Sequence, residues 1–281
     1  MRLNMHYKKL LNSLLILLIF IKCGPTSSND TENKSKAWDL KEWKLVWHDE
    51  FDSDSLNTQL WKYETGGHGW GNNEEQYYTE RRENAYLKDG NLIICARKEN
   101  YEDSDYTSAR LNSRQGWTYG RFDVKAKLPQ GRGTWPAIWM LPDEWTVGTG
   151  NWPGVGEIDI MEHVGYDPGQ VHASIHTEAY NHVKGTQKTA QIFDTTVFSQ
   201  FHVYSLEWNQ SSIQVSMDDS LYFTYQKEAD ADWKTWPFTQ DFHLLLNLAI
   251  GGAWGGAQGI DNSIFPAKFV IDYVRVYKKI K

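Results

Sequence analysis

The chain is short of cysteine, of proline and of positive charge. Its 281 residues include two Cys and eight Pro, and 29 Lys and Arg stand against 36 Asp and Glu, a formal net charge of −7. Two cysteines cannot build the disulfide framework that staples small exported domains. Cys95 lies inside the apolar run NLIICARK and reads as a buried thiol. The acidic balance speaks against a nucleic-acid partner, because a phosphate backbone is met by a basic surface. A long amphipathic helix is also missing, which turns the fold class toward strands. No Gly/Pro-rich break, charge block or internal repeat divides the sequence after Trp38, so residues 38–281 read as one domain.

The one feature outside that domain is the N-terminus. Arg2, Lys8 and Lys9 precede the apolar run LLNSLLILLIFI at 10–21, which is too short to cross a bilayer comfortably. Cys23 follows, then the polar stretch GPTSSNDTENKSK. Residues 1–22 are expected to be a signal peptide of the lipoprotein type, with Cys23 acylated and 23–37 a flexible linker. Lys22 departs from that pattern, which has a small residue there. The expected location is the cell envelope through the lipid anchor, or else secreted or periplasmic. The membrane is a partner only through that anchor, and the protein is expected to be a monomer.

What the sequence has in plenty is aromatic residues and strand patterns. It carries 14 Trp, 15 Tyr and 11 Phe. Part of that surplus belongs in a core, and the rest suits a platform for a ligand with apolar faces, such as a sugar. RFDVKAKL (121–128) alternates strictly, with Phe122, Val124, Ala126 and Leu128 predicted inward and Arg121, Asp123, Lys125 and Lys127 outward. SIQVSMDDSLYFTY (212–225) reads as a hairpin turning at Asp218-Asp219. FHVYSLEW, DFHLLLNLAI and KFVIDYVRVY are further strands. Many short strands with Gly-containing turns predict an all-β sandwich.

The sharpest chemical signal is GEIDIMEHVG (156–165), three carboxylates in an apolar strand. Side chains alternate along a strand, so Glu157 and Asp159 share a face while Glu162 falls with Ile158 and Ile160. Burying an unpaired carboxylate costs several kcal/mol. A β-bulge near Ile160-Met161 restores Glu162 to the face of the other acids. Glu157 and Glu162 are then roughly 13 Å apart along the backbone, a gap that two long side chains on a bent strand can largely close. Retaining glycosidases hold their two carboxyls roughly 5–5.5 Å apart. A metal site is the other reading of the cluster, but after the bulge His163 points away from the acids.

GEIDIMEHVG resembles the E-x-D-x-x-E signature of family 16 glycoside hydrolases, in their laminarinase-like branch. WHDEFD, WGNNEEQYYT, YTSARLNS, GRFDVKAKLP, GTWPAIWMLP, VHASIHTEAYNH, FHVYSLEW, NLAIGGAWGG and FVIDYVRVY match the family in order. The resemblance implies a concanavalin A-like, two-sheet β-jelly-roll sandwich with an open cleft on its concave face. It implies endo-hydrolysis of β-1,3-glucosidic bonds with retention, in laminarin-like glucans. Mixed-linkage β-1,3-1,4-glucans and galactans such as agarose or carrageenan are alternative substrates. A non-catalytic carbohydrate-binding domain is the alternative from another class, which loss of a catalytic Glu would mark. In that scheme Glu157 is the nucleophile, Glu162 the general acid and base, and Asp159 tunes both. Asn72, Arg110, Trp135, Trp139, Trp152, His176 and Trp254 are expected to hold the sugar chain. GGAWGG has Ala253 where the family often has Asn. No cofactor serves the chemistry, while a structural calcium is expected at Glu50, Gly90 and Asp272.

Overall fold

This computed structural model describes residues 42–280. The expected signal peptide, the linker and Cys23 lie outside the described residues. Within them the regular structure is almost wholly strand, and the helical turns are short 3-10 segments such as Gly69–Gly71 and Thr195–Phe198. Seven strands make one sheet, in the order Lys188–Phe193, Gln170–His176, Glu157–His163, Thr134–Pro142, Phe242–Ile250, Arg110–Trp117 and Trp61–Glu64. Every pairing in it is antiparallel. The second sheet follows the order Ser220–Gln226, Ser212–Met217, His202–Trp208, Gly120–Lys127, Ala267–Lys279, Asn91–Tyr101, Ser104–Ser108 and Gln76–Tyr78. Trp43–Asp49 pairs with its Ala267–Lys279 strand, and Ala85–Lys88 with its Asn91–Tyr101 strand. The expected all-β jelly-roll sandwich is the fold found.

The core lies between the sheets, and the period-2 pattern decides what enters it. In the Phe242–Ile250 strand, residues Phe242, Leu244, Leu246, Leu248 and Ile250 join the core cluster, as Ile138, Met140, Ile158 and Ile160 do from neighbouring strands. Phe122, Val124, Ala126, Tyr204, Leu206, Ile271, Val274 and Val276 meet them from the ten-stranded sheet. Burial of each large side chain contributes about 1.5–3 kcal/mol. The alternate residues of the seven-stranded sheet, among them Trp135, Trp139, His243 and Asn247, face away from this core. That outer face carries the chemistry.

The hairpin turns at Asp218 and Asp219, whose φ values of 47° and 65° suit a two-residue turn between Ser212–Met217 and Ser220–Gln226. Phe122, Val124, Ala126 and Leu128 are buried as expected, but Arg121 and Asp123 are not solvated. Arg121 Nε lies 2.9 Å from Asp123 Oδ1, and Glu207 and Asp219 flank the guanidinium. Alternation sets which side of the sheet a residue faces; here the neighbouring ion pairs cover that side.

Candidate active site

The bulge expected in GEIDIMEHVG is present. Against Thr134–Pro142, Asp159 pairs with Trp139 and Met161 with Ile138, which leaves Ile160 as the extra residue. Against Gln170–His176, Asp159 pairs with Ser174 and Glu162 with His172, again one residue out of step. Ile158, Ile160 and Met161 therefore all enter the core, while Glu157, Asp159 and Glu162 share the outer face. His163 is fully buried, its ring 5.2 Å from that of Phe198, with Nε2 accepting from the Gly169 N–H at 3.3 Å. It cannot join the acids, as the parity argument required.

Each glutamate is held by an indole from a different segment. Trp152 Nε1–H donates to Glu157 Oε2 at 3.0 Å, and Trp135 Nε1–H donates to Glu162 Oε1 at 3.0 Å. His176, opposite Glu157 in the strand register, brings Nε2 to 3.2 Å from Asp159 Oδ2 and 3.8 Å from Glu157 Oε1. His182 packs edge-on against His176, with ring centroids 5.2 Å apart. His172, opposite Glu162, lies edge-on to Trp254.

The electrostatics follow from crowding. Asp159 is 2% exposed, and the Glu157 side chain 15%. Burial pushes Glu157 up to about 8, with the Asp159 charge adding to it and His176 and the Trp152 N–H opposing it. Burial also raises Glu162 to about 8, again with Asp159 adding to it and His176 and Trp135 opposing it. Asp159 is raised by burial as well, against a hydrogen bond with Glu157. The three acids titrate as one coupled set near neutral pH. Such a set can keep one carboxyl protonated while another is ionised.

The expected sugar-binding residues surround the acids. Trp135 and Trp139 do share the outer face and are half-buried; neither belongs to the core. Trp139 Nε1–H donates to Asn247 Oδ1 at 2.7 Å. The Arg110 guanidinium lies 4.7 Å from the Trp139 ring and 4.7 Å from the Trp70 ring, and is paired with Glu64. Trp254 meets Trp135 edge-on with centroids 5.5 Å apart, so it walls the Glu162 end, while Trp152 walls the Glu157 end. Asn72 is half-buried, its backbone carbonyl accepting the Ala253 N–H at 2.7 Å. The backbone at Ala253 thus ties two loops together, whatever its side chain. Sequence reasoning missed Asn247, Tyr78, Glu74 and His182. All four lie in segments that resemble the family, WGNNEEQYYT, VHASIHTEAYNH and NLAIGGAWGG, and Asn247 is also a single amide within LLLNLAI.

The calcium expectation fares differently. Glu50 forms a two-pronged pair with Arg275, with Nε–Oε1 at 2.9 Å and Nη2–Oε2 at 2.7 Å, and His48 Nδ1 lies 3.2 Å from Oε1. Asp272 Oδ2 is 2.6 Å from Lys125 Nζ. Gly90, at φ 70°, lies near Asp52. Calcium needs oxygen donors whose charge it can offset. Both carboxylates are met by the chain's own cations, which would compete with a calcium held as expected.

Residues 72–275 match glycosyl hydrolases family 16. A beta-glucanase of Rhodothermus marinus is 51% identical over 286 residues, spanning 99% of this chain and 98% of that protein. A glucan endo-1,3-beta-glucosidase of Cryptopygus antarcticus is 37% identical over 233 residues, spanning 79% of this chain and 85% of that protein. The X-ray structure of the laminarinase from Rhodothermus marinus superposes with a TM-score of 0.84 at 54% identity, covering 85% of this chain and 98% of that chain. With the family model, the relatives and the fold in agreement, the chain belongs to glycoside hydrolase family 16.

Proposed function

We propose that the chain is a retaining endo-β-1,3-glucanase that cleaves laminarin-like glucans. The observation that carries this reading is the bulge at Ile160, which sets Glu157, Asp159 and Glu162 on one face between two indole donors. The names of the relatives supply the substrate class.

In the first step Glu162 donates its proton to the glycosidic oxygen as the Glu157 carboxylate attacks the anomeric carbon. The C–O bond to the leaving sugar breaks and a glycosyl ester forms on Glu157. Burial, the largest cause, favours the protonated form of Glu162 near neutral pH. His176 and the Trp152 N–H favour the anion on Glu157. Repulsion between the two glutamates is mutual, so esterification of Glu157 lowers the proton affinity of Glu162. Glu162 then takes a proton from water, whose oxygen attacks the same carbon from the face the leaving group occupied, breaking the ester bond and freeing the Glu157 carboxylate. Two inversions give net retention. The two glutamates do the acid-base and nucleophilic work, and no step needs a cofactor.

Trp135, Trp139, Trp152 and Trp254 offer ring faces to the pyranoses, and Asn72 and Arg110 offer polar contacts. We also place the protein outside the cytoplasm, tethered through acylated Cys23, on the basis of the basic start, the short apolar run and the polar tether. Replacing Cys23 by Ser should move it from the membrane fraction to the soluble fraction, and an unchanged distribution would contradict the anchor.

The reading is tested by a proton NMR time course on a laminarin oligosaccharide. The β-anomer should appear first, with the α-anomer growing in by mutarotation. An initial α-product refutes the double displacement.

A further inference from the structure

A chain of buried hydrogen bonds runs from the cleft into the body of the protein, ending on a carboxylate that the reaction does not use. It starts at the Trp139 N–H, which donates to Asn247 Oδ1 at 2.7 Å. Asn247 Nδ2 donates to the Tyr78 hydroxyl at 3.1 Å. The Tyr78 O–H donates to Glu74 Oε2 at 3.1 Å, and Gln76 Nε2 donates to the same oxygen at 2.7 Å. Tyr78 and Gln76 are fully buried, and Glu74 and Asn247 nearly so. Gln76 Oε1 in turn accepts the Ile250 N–H at 2.7 Å.

The direction of this chain is fixed by what each group is able to do. An indole nitrogen only donates, so Asn247 must turn its oxygen to Trp139. Its amide N–H then faces Tyr78, whose oxygen accepts, and the hydroxyl proton has to go onward. Glu74 receives it as an acceptor. Every donor along the path points toward that carboxylate. Without an acceptor at 74, the hydroxyl of Tyr78 is free to turn back toward Asn247. The amide can then flip and set an N–H against the indole N–H, which frees the ring.

Trp139 is worth holding in place. It pairs across the strands with Asp159, and its ring lies 4.7 Å from the Arg110 guanidinium, which is also 4.7 Å from Trp70. Glu74 lies in the segment that bridges to Gly251, and the Glu75 N–H binds the Ile250 carbonyl at 2.8 Å. The carboxylate is therefore anchored to the end of the strand that carries Asn247.

We propose that Glu74 is a positioning residue, acting through Tyr78 and Asn247 to lock the Trp139 ring as a sugar platform, and so setting glucan affinity rather than turnover. The proposal rests on the glucanase reading above. The wild-type enzyme reports on that reading in the same assay: no hydrolysis of laminarin by wild type sinks the reading, and an active wild type isolates the relay.

The test measures KM and kcat on laminarin oligosaccharides for a small set of variants. Tyr78→Phe removes a hydroxyl that is fully buried and cannot touch substrate. It should raise KM about tenfold, the effect of one lost hydrogen bond, with kcat within about twofold. Glu74→Leu, which also removes the acceptor of the Asn72 side chain, should raise KM at least as much, and Glu74→Gln, which keeps an acceptor oxygen, should restore KM to within about twofold of wild type. Glu74→Leu combined with Tyr78→Phe should be no worse than Glu74→Leu alone, because both break one chain. In a Trp139→Phe background, which lacks the indole N–H, Tyr78→Phe should change KM no further. An unchanged KM in Tyr78→Phe overturns the proposal. So does a multiplicative effect in the double variant, or a full Tyr78→Phe effect in the Trp139→Phe background. If Glu74→Leu does not fold, the Tyr78→Phe and Trp139→Phe pair decides alone.

Discussion

Glu157 and Glu162 share a strand, a face and a buried setting, yet the reaction asks opposite things of them. The indole N–H groups give a way to tell them apart. Trp152→Phe removes a donor that favours the Glu157 anion, and Trp135→Phe removes the corresponding donor to Glu162. Each change raises the proton affinity of its own glutamate. For a nucleophile that must be ionised, Trp152→Phe moves the acid limb of the kcat/KM profile upward and narrows the bell. For a general acid that must be protonated, Trp135→Phe moves the alkaline limb upward and widens it. A pH profile of the two variants checks this, and the reverse pattern would exchange the roles. The same acids carry a stability cost. Glu157 and Glu162 rise from 4.5, and Asp159 from 3.8, to about 8. Across that window the folded protein keeps protons that the unfolded chain has released. Stability therefore falls as pH rises from about 4 to 8, and the cost is complete above 8. Asp159→Asn should raise Tm relative to wild type at pH 9 and leave it unchanged at pH 4, as thermal unfolding at the two values will show.

At the scale of the strand, one residue decides the site. Ile160 is the unpaired residue of the bulge, and it alone brings Glu162 round to Asp159 and Glu157. Deleting Ile160 makes the strand regular, turns Glu162 toward the core and should abolish hydrolysis with a large loss of stability. Ile160→Val keeps the parity and should keep activity, at a cost of about 0.5–1.5 kcal/mol in denaturant unfolding. This part of the molecule was legible in the sequence because alternation is strict and an acid on the wrong side demands a cause. The pairing of Trp135 with Trp139 was legible for the same reason. The relay behind Trp139 was not: Asn247 and Tyr78 lie 169 residues apart and meet only when the strands assemble. Nor could alternation show that Arg121 and Asp123 are covered, since it sets the side of a sheet and not what lies over it.

At the scale of the whole molecule, the two carboxylates expected to bind calcium are partners in ion pairs. Glu50 ties the segment after the Trp43–Asp49 strand to Arg275, and Asp272 ties Ala267–Lys279 to Lys125 of the neighbouring strand. Asp272 in an apolar strand did call for a partner, and the sequence could not say whether that partner was an ion or a lysine. Since the chain supplies the positive charge, EDTA should leave Tm unchanged and added calcium should not raise it. Arg275→Ala should lower Tm, by unpairing a carboxylate in a partly covered setting. A drop in Tm on chelation would restore the calcium site.

The central claim is that Glu157 becomes covalently attached to sugar while Glu162 transfers protons. A 2-deoxy-2-fluoro β-glucoside with a good leaving group slows both steps, the second more, so that the glycosyl ester accumulates. Mass spectrometry of the intact protein followed by peptide mapping locates it. The account predicts one sugar adduct per chain, on Glu157 of GEIDIMEHVG, absent in Glu157→Gln. An adduct on Glu162, or turnover of the activated glycoside without any adduct and with inverted product, would contradict it.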